Sequence, residues 1–489
     1  MLTTWLPSVY LLALTGMSVY GFLGLITLYF FIKHHNERFP TPLCSPDQLP
    51  RVTIQLPIYN EKLVVCRLID AAASLTYPRH LLQVQVIDDS TDETSDFATE
   101  RVAYYRRNGL DIQHLRRSHR TGFKGGALQE ALASTRGEMV AIFDADFIPP
   151  PDFLQRTIPH FVDNPALGVL QTRWGHLNPE NSALTAAQAI ALDKHFSIDQ
   201  KVRFQANLFP KFNGTAGIWR RRTMEDAGGW EHDTVTEDLD LSTRAVLKGW
   251  SFRFLDDVVT AAELPVTMAA FKNQQARWAK GSTQCLLKYG SAILSDRKQK
   301  WVARLYALLT MSAYCAQLLL ILLLLLALPL VYFDIRLSPL LLLFVIAGIG
   351  QPLLFTISQK VLYDNWQSKL RHLPTLLLVA VGLAPSISRA IIQAIFTSRN
   401  NFVRTPKGLA LAERSGYQLP FDWIILCELA LSIYALAGVF LALQRGNIGP
   451  LFFLLTCAGG MGYVAVSSLL ELWRPFHRAR SARSSKQPA

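Results

Sequence analysis

Hydrophobic and polar positions divide this chain into two textures. Long uncharged runs occupy residues 8–32 and most of the stretch between about 305 and 473, whereas residues 51–290 mix polar and apolar positions at short period. The first run holds 25 residues without a charge, enough for a helix rising about 1.5 Å per residue to cross about 30 Å of hydrocarbon. A cleaved signal peptide is the competing assignment. The run is too long for a signal core, no basic residue precedes it, and Lys33, His34 and His35 follow it. An uncleaved anchor, starting outside and ending inside, fits better.

Further spans are expected at 305–333, 339–359, 374–396, 423–444 and 450–473. If 374–396 crossed fully, Arg399, Arg404, Lys407 and Arg414 in the following loop would lie outside, against the positive-inside rule. Gly382 and Pro385 interrupt that segment and Arg389 charges its second half. A hairpin or interface-bound segment is therefore expected there, with five full crossings elsewhere. The resulting division is 1–33 a transmembrane helix, 34–50 a linker, 51–300 a folded domain, 301–360 two transmembrane helices, 361–422 the hairpin and its loop, 423–473 two more helices, and 474–489 a basic cytoplasmic tail, expected to be disordered.

Within the folded domain, short β-rich runs (Val52–Leu56, Val84–Ile87, Met139–Phe143, Gly168–Gln171) alternate with helix-like stretches at 61–74, 93–107 and 123–134. Strand–helix alternation predicts an α/β domain with a mostly parallel sheet, and such sheets bind ligands beyond the carboxyl ends of their strands.

Charge changes the picture little. The net charge is +12, but Lys and Arg gather beside the apolar runs and in the tail, as cytoplasmic flanks do against anionic lipid. The pattern argues for membrane lipid and against nucleic acid as a partner. Six cysteines show neither CxxC nor zinc spacing and read as free thiols.

Two acidic clusters fall at strand ends. Asp88-Asp89-Ser90-Thr91-Asp92 follows Gln83–Ile87, and Asp144-Ala145-Asp146 follows Met139–Phe143. The first could equally be an Asx-type turn capping the next helix through Thr91 or Asp92. Two such clusters on one sheet point further. Carboxylates two apart in a turn can present oxygens to one hard divalent cation, which fills its shell with water and phosphate oxygens and neutralises a leaving diphosphate. Thr121–Gly126 precedes a helix pattern, and its amides with Lys124 could meet a phosphate, or it could be only a flexible helix start. Glu237 and Asp238 open a helix-like run, where acids are also expected for dipole reasons. Gln274, Arg277 and Trp278 lie in a helix before the membrane, where an interfacial Trp/Arg pair is the plainer reading.

In this order and spacing, the chain resembles the processive branch of the family 2 glycosyltransferases, and within it cellulose-synthase-like enzymes such as mannan and glucomannan synthases. The matching pieces are QLPIYNE at 55–61, VIDDSTDET at 86–94, FKGGAL at 123–128, FDADF at 143–147, FNGTAGIWR at 212–220, TEDLDLSTR at 236–244 and QQARW at 274–278. Phe402–Lys407 looks like the loop that closes over the nucleotide in such synthases. The resemblance implies a cytoplasmic GT-A catalytic domain packed on an α-helical transmembrane domain in the cell membrane. It places Asp89 at the nucleoside with Asp88 beside it, Lys124 and Asp144 at the donor phosphates, and Asp144 and Asp146 on Mg²⁺ or Mn²⁺. Asp238 is the implied general base with Glu237 next to it. Gln274, Arg277, Trp278 and Asn213 would shape the acceptor site, and Thr405 and Lys407 would close over the nucleotide-sugar donor.

Two acceptors stay open within that resemblance: a growing β-linked polysaccharide, or a membrane lipid (diacylglycerol, ceramide or sterol) receiving one or a few sugars. Five crossings make a thin wall for a channel, which a homo-oligomer could thicken. The donor is GDP-mannose or UDP-glucose. Phe212-Asn213-Gly214-Thr215 departs from the Cys-bearing form of this stretch in cellulose synthases, which argues against cellulose itself.

Overall fold

The computed structural model describes residues 2–37, 39–335, 343–397 and 421–484. Thr405, Lys407 and the rest of the 402–407 segment lie outside the described residues.

Helix α1 (Leu2–His34) precedes the folded domain. There the chain runs β1 (Val52–Ile58), α2 (Val65–Ala73), β2 (Leu82–Asp88), α3 (Thr94–Arg107), β3 (Asp111–Arg116), α4 (Phe123–Ala131), β4 (Met139–Ile142), β5 (Phe147–Ile148) and α5 (Phe153–Asp163). It continues through β6 (Leu167–His176), α6 (Ala183–Lys194), a π-helical turn (His195–Gln200), α7 (Lys201–Gln205), β7 (Gly217–Arg220), α8 (Arg221–Asp226), α9 (Glu237–Lys248), β8 (Ser251–Ala262) and α10 (Met268–Ser295).

All seven positions of β2 are buried, as are six of seven in β1. Burial on both faces is the mark of central parallel strands. Their polar residues are paired across the ladder: Thr53 Oγ1 donates to Gln83 Oε1 at 2.7 Å, and Gln55 Nε2 to Gln85 Oε1 at 3.0 Å. The sheet order is β3-β2-β1-β4-β7-β6-β8-β5. Strands β3 to β4 are parallel, but β7 is antiparallel to both β4 and β6, and β5 to β8. The sheet is thus mixed: it is parallel across β3-β2-β1-β4, which carries both acidic clusters, and again between β6 and β8. The antiparallel insertion positions the site. Ile142 pairs with Gly217, so the residues leaving β4 (Phe143, Asp144) lie beside those entering β7 (Asn213–Ala216).

Beyond α10 come helices Trp301–Met311, Ala316–Tyr332, Leu343–Leu362, Leu373–Gly382, Ala384–Phe396, Ile424–Gln444 and Leu451–Ser484. Trp5–His34, Ala313–Tyr332, Ile424–Gln444 and Leu451–Trp473 are long and apolar enough to cross a membrane. The expected span at 305–333 is split, its first part belonging to the separate Trp301–Met311 helix. Segment 374–396 is two helices meeting at a bend of 42° between Gly382 and Ala384. The glycine permits a close crossing there, since a Cβ on Gly382 would sit 2.2 Å from the Gly460 carbonyl oxygen. Helix also continues to Ser484, into the tail expected to be disordered. Its Ala and Arg residues sustain helix once one is started.

Candidate functional site

The carboxyl ends of β1, β2 and β4 open onto a cavity of about 230 Å³. Asp89, Lys124, Asp144, Asp146, Asn213, Glu237, Asp238, Gln274, Arg277 and Trp278, all singled out in the sequence, line it together.

Asp88 does not line it. It is 1% exposed and accepts hydrogen bonds from Ser90 N (2.8 Å), Ser95 Oγ (2.6 Å) and His114 Nε2 (2.9 Å). Burial pushes its carboxyl up, but the bonds from His114, Ser95 and Ser90 outweigh burial and hold it at about 2. Its oxygens take part in building the loop beside Asp89, as the Asx-turn reading allows. Asp89 faces the cavity and takes a bidentate pair from Arg117 at 2.8 and 2.5 Å. Arg117 also donates to the Thr121 and Phe123 carbonyls, at 2.9 and 3.0 Å, tying the glycine-rich turn to the strand end.

That turn delivers Lys124. Its Nζ lies 2.5 Å from Asp144 Oδ1, 2.9 Å from the Gly214 carbonyl and 3.7 Å from Glu237 Oε1. Burial alone would lower its pKa, but Asp144 and Glu237 raise it, so the ammonium stays charged. Asp144 is steadied from the segment entering β7: its amide nitrogen donates to Thr215 Oγ1 at 2.8 Å.

Asp238 sits in the first turn of α9. Burial, then the neighbouring Glu237, pushes its carboxyl up to about 7 against the pull of Lys124 and Lys211. A base poised near neutrality suits proton abstraction. Gly214, at φ +84°, clears the space before it: a Cβ there would sit 3.0 Å from Asp238 Oδ2.

A second cavity of about 500 Å³ shares Asn213, Asp238, Gln274 and Trp278 with the first and extends toward the apolar helices. Gln274, Arg277 and Trp278 are three and four apart on α10, which puts them on one face. Further walls come from Tyr314, Gln317, Gln351 and Phe355 and from Leu376, Val379, Leu383 and Ile387. Asn213 is a wall-builder. Its Oδ1 accepts from Gln200, its Nδ2 donates to His195 Nε2 at 2.9 Å, and its amide donates to Gln171 Oε1 at 2.9 Å. Burial lowers His195 to about 4, so its ring is neutral and free to accept that bond.

Sequence reasoning missed several lining groups: His195 and Asp199 on the π-helical turn, Lys211, and His176 with its buried partner Asp193 (2.9 Å). Burial, then Arg203, lowers the Lys211 ammonium to about 7 beside Asp238. Only Lys211 carried a signal, a lone cation immediately before the FNGTAG stretch.

A family model described as "Glycosyltransferase like family 2" matches residues 50–281. The chain is 38% identical over 300 residues to glucomannan 4-beta-mannosyltransferase 2 of Arabidopsis thaliana, covering 59% of this chain and 56% of that protein. It is 39% identical over 280 residues to glucomannan 4-beta-mannosyltransferase 1 of Cyamopsis tetragonoloba, covering 56% and 53%. The chain thus spans about half the length of the curated relatives it matches. Among solved structures it resembles the mannosyltransferase PcManGT from Pyrobaculum calidifontis in complex with GDP-Man and Mn²⁺, with TM-score 0.55, 20% identity, and coverage of 81% of this chain and 100% of that one. That likeness concerns the fold.

Proposed function

We propose that residues 50–281, which match the family 2 glycosyltransferase model and share the fold of a solved mannosyltransferase, are a GT-A catalytic domain and that the protein is a membrane β-glycan synthase. In this reading it transfers a hexose, with inversion, from a nucleotide-sugar to a growing polysaccharide. The observation that carries the proposal is that the two cavities share Asn213, Asp238, Gln274 and Trp278 as wall residues. Beside the acidic cavity lies one walled by amides and aromatic rings, groups that hydrogen-bond and stack on sugars, and by the apolar helices.

A sugar hydroxyl entering past Trp278 meets Asp238, which takes its proton as the oxygen attacks the anomeric carbon. Attack opposite the departing diphosphate converts an α-linked donor into a β-linked product. Lys124 lies where it can donate to a diphosphate oxygen, and Asp89, held by Arg117, faces the nucleoside end. Asp144 and Asp146 fit a hard divalent cation: both line the cavity, both offer carboxylate oxygens, and Asp144 is one-third exposed. Mg²⁺ or Mn²⁺ held there would neutralise charge on the leaving nucleoside diphosphate. Mannosyl transfer by the plant relatives favours GDP-mannose over UDP-glucose and a β-1,4 linkage. The basic flanks of the catalytic domain and of residues 397–422 favour the cytoplasmic side of the membrane that holds the apolar helices.

A second reading, transfer of one or a few sugars to a membrane lipid, draws support from the apolar far end formed by Leu376, Val379, Leu383 and Ile387. The two separate in one experiment. The protein purified with native lipid is given labelled GDP-mannose or UDP-glucose with Mn²⁺, and product is partitioned between organic solvent and ethanol-insoluble material. Label in the insoluble fraction, cleared by a β-glycanase, is the expected result. Label confined to the organic phase would establish the lipid acceptor instead.

A further inference from the structure

We propose that the buried Lys272–Glu428 ion pair is a positioning device through which the membrane helices set the acceptor-facing turn of α10. Lys272 Nζ lies 2.7 and 2.9 Å from the two carboxylate oxygens of Glu428, on the Ile424–Gln444 helix, and Ser386 Oγ donates to the same carboxylate at 3.2 Å. Lys272 is 5% exposed and Glu428 fully buried. At the start of α10, Met268 and Ala269 donate their amides to Glu471 of the Leu451–Ser484 helix, at 2.5 and 3.1 Å. Gln274 is two residues beyond Lys272, about 200° around the helix. One face of α10 is thus fixed to the membrane helices while the opposite face presents Gln274, Arg277 and Trp278 to the cavities.

The far end of α10 is also pinned. Lys288 Nζ sits among Glu231, Asp233 and Asp240 at 2.6, 2.7 and 2.8 Å. Asp240 belongs to α9, two residues from Asp238. Helix α10 therefore bridges the membrane helices and the helix bearing the base, with the acceptor-facing turn between its anchors. A buried pair is a poor choice for stability alone, since apolar residues of similar volume do as well or better. Ionisable residues on apolar spans mark function by default.

The inference rests on the glycan-synthase reading. With the pair broken, Trp278 loses its register against Asp238 and water competes with the sugar hydroxyl. The water oxygen bonds to the anomeric carbon as the bond to the diphosphate oxygen breaks. Asp238 takes the proton, and free sugar and nucleoside diphosphate leave.

The test uses the full chain in native lipid with labelled GDP-mannose and Mn²⁺. It compares wild type, Glu428→Gln and the doubly apolar Lys272→Met/Glu428→Leu, at matched amounts of folded protein. The measured quantity is nucleoside diphosphate released per sugar incorporated, together with product length. A rise in that ratio of roughly 2- to 30-fold is expected, the usual range for coupling residues, with shorter product and donor KM unchanged. A purely structural role would lower release and incorporation together. The double variant replaces the buried charges with packed apolar groups, so it supplies the reading if Glu428→Gln does not fold. A ratio and product length equal to wild type in the folded variants would overturn the proposal. The product partition described above, run alongside on the wild type, separates the two failures. Label confined to the organic phase would overturn the synthase reading itself, whereas insoluble glycan with unchanged ratios in the pair variants overturns only the coupling.

Discussion

The two cavities meet at Asp238 but are built differently. On the proposed donor side Asp89, Asp144 and Asp146 each lie just beyond a strand of one sheet, and neighbours in sequence are neighbours in the site. The acceptor side is gathered from α6, the π-helical turn, α10 and helices as distant in sequence as 376–387. A strand end fixes its next two or three residues through the ladder, so donor chemistry is written in short contiguous motifs. A cavity between helices depends on how those helices pack, and its lining is scattered along the chain.

This contrast predicts effects of different kind on the two sides. Replacing the proposed base, which both cavities share, is the largest. Asp238→Asn is expected to lower sugar incorporation by about 10²–10⁴-fold, the usual contribution of a positioned base, with nucleotide affinity by calorimetry unchanged. On the donor side, Asp146→Asn is expected to cut the Mn²⁺-supported rate by on the order of 10³-fold while the protein still extracts normally in detergent. Unchanged turnover would remove Asp146 from the metal site. On the acceptor side, Trp278→Ala is expected to raise acceptor KM about tenfold, with donor KM unmoved. Elongation indifferent to that change would make Trp278 an interface anchor only.

A smaller effect joins the two sides. Lys211 helps hold the Asp238 carboxyl down, so Lys211→Met raises that carboxyl further. The acidic limb of kcat/KM then moves to higher pH, costing about threefold at pH 7 and less at pH 8. An unmoved limb would place Lys211 outside the electrostatics of the base. Asp88→Asn marks the other limit, with little direct effect on chemistry. Its folded pKa lies below the ordinary 3.8, so its stabilisation is present above about pH 4 and fades as pH falls toward 2. Loss of about 2 kcal/mol in unfolding at neutral pH is expected, read as a lower first thermal transition.

How far the site was legible follows from the same contrast. That the strand-end acids, the glycine-rich turn and the acids at the start of α9 share one cavity could be read because each is a local pattern with a local consequence. Which of Asp88 and Asp89 faces the cavity could not be read, because that depends on His114 from β3 and Ser95 from α3. The parallel half of the sheet followed from strand–helix alternation. The antiparallel entry of β7 between β4 and β6 did not, although it brings Gly214 and Thr215 to Asp144 and Asp238. His195 and Asp199 were invisible because a π-helical turn, which re-aims their side chains, leaves no mark in hydrophobic period. Lys272 and Glu428 are 156 residues apart, and pairing at that range has no single-sequence signature.

In the proposed function the second cavity carries a growing glycan toward the membrane helices. Ala380 borders that cavity near its apolar end and is exposed, so a larger side chain can project there without overpacking the core. The most direct test is the product-length distribution of Ala380→Trp beside wild type, from labelled GDP-mannose and by mass spectrometry of the released glycans. The account predicts truncated chains with the first transfers intact. Full-length chains at the wild-type rate would contradict it.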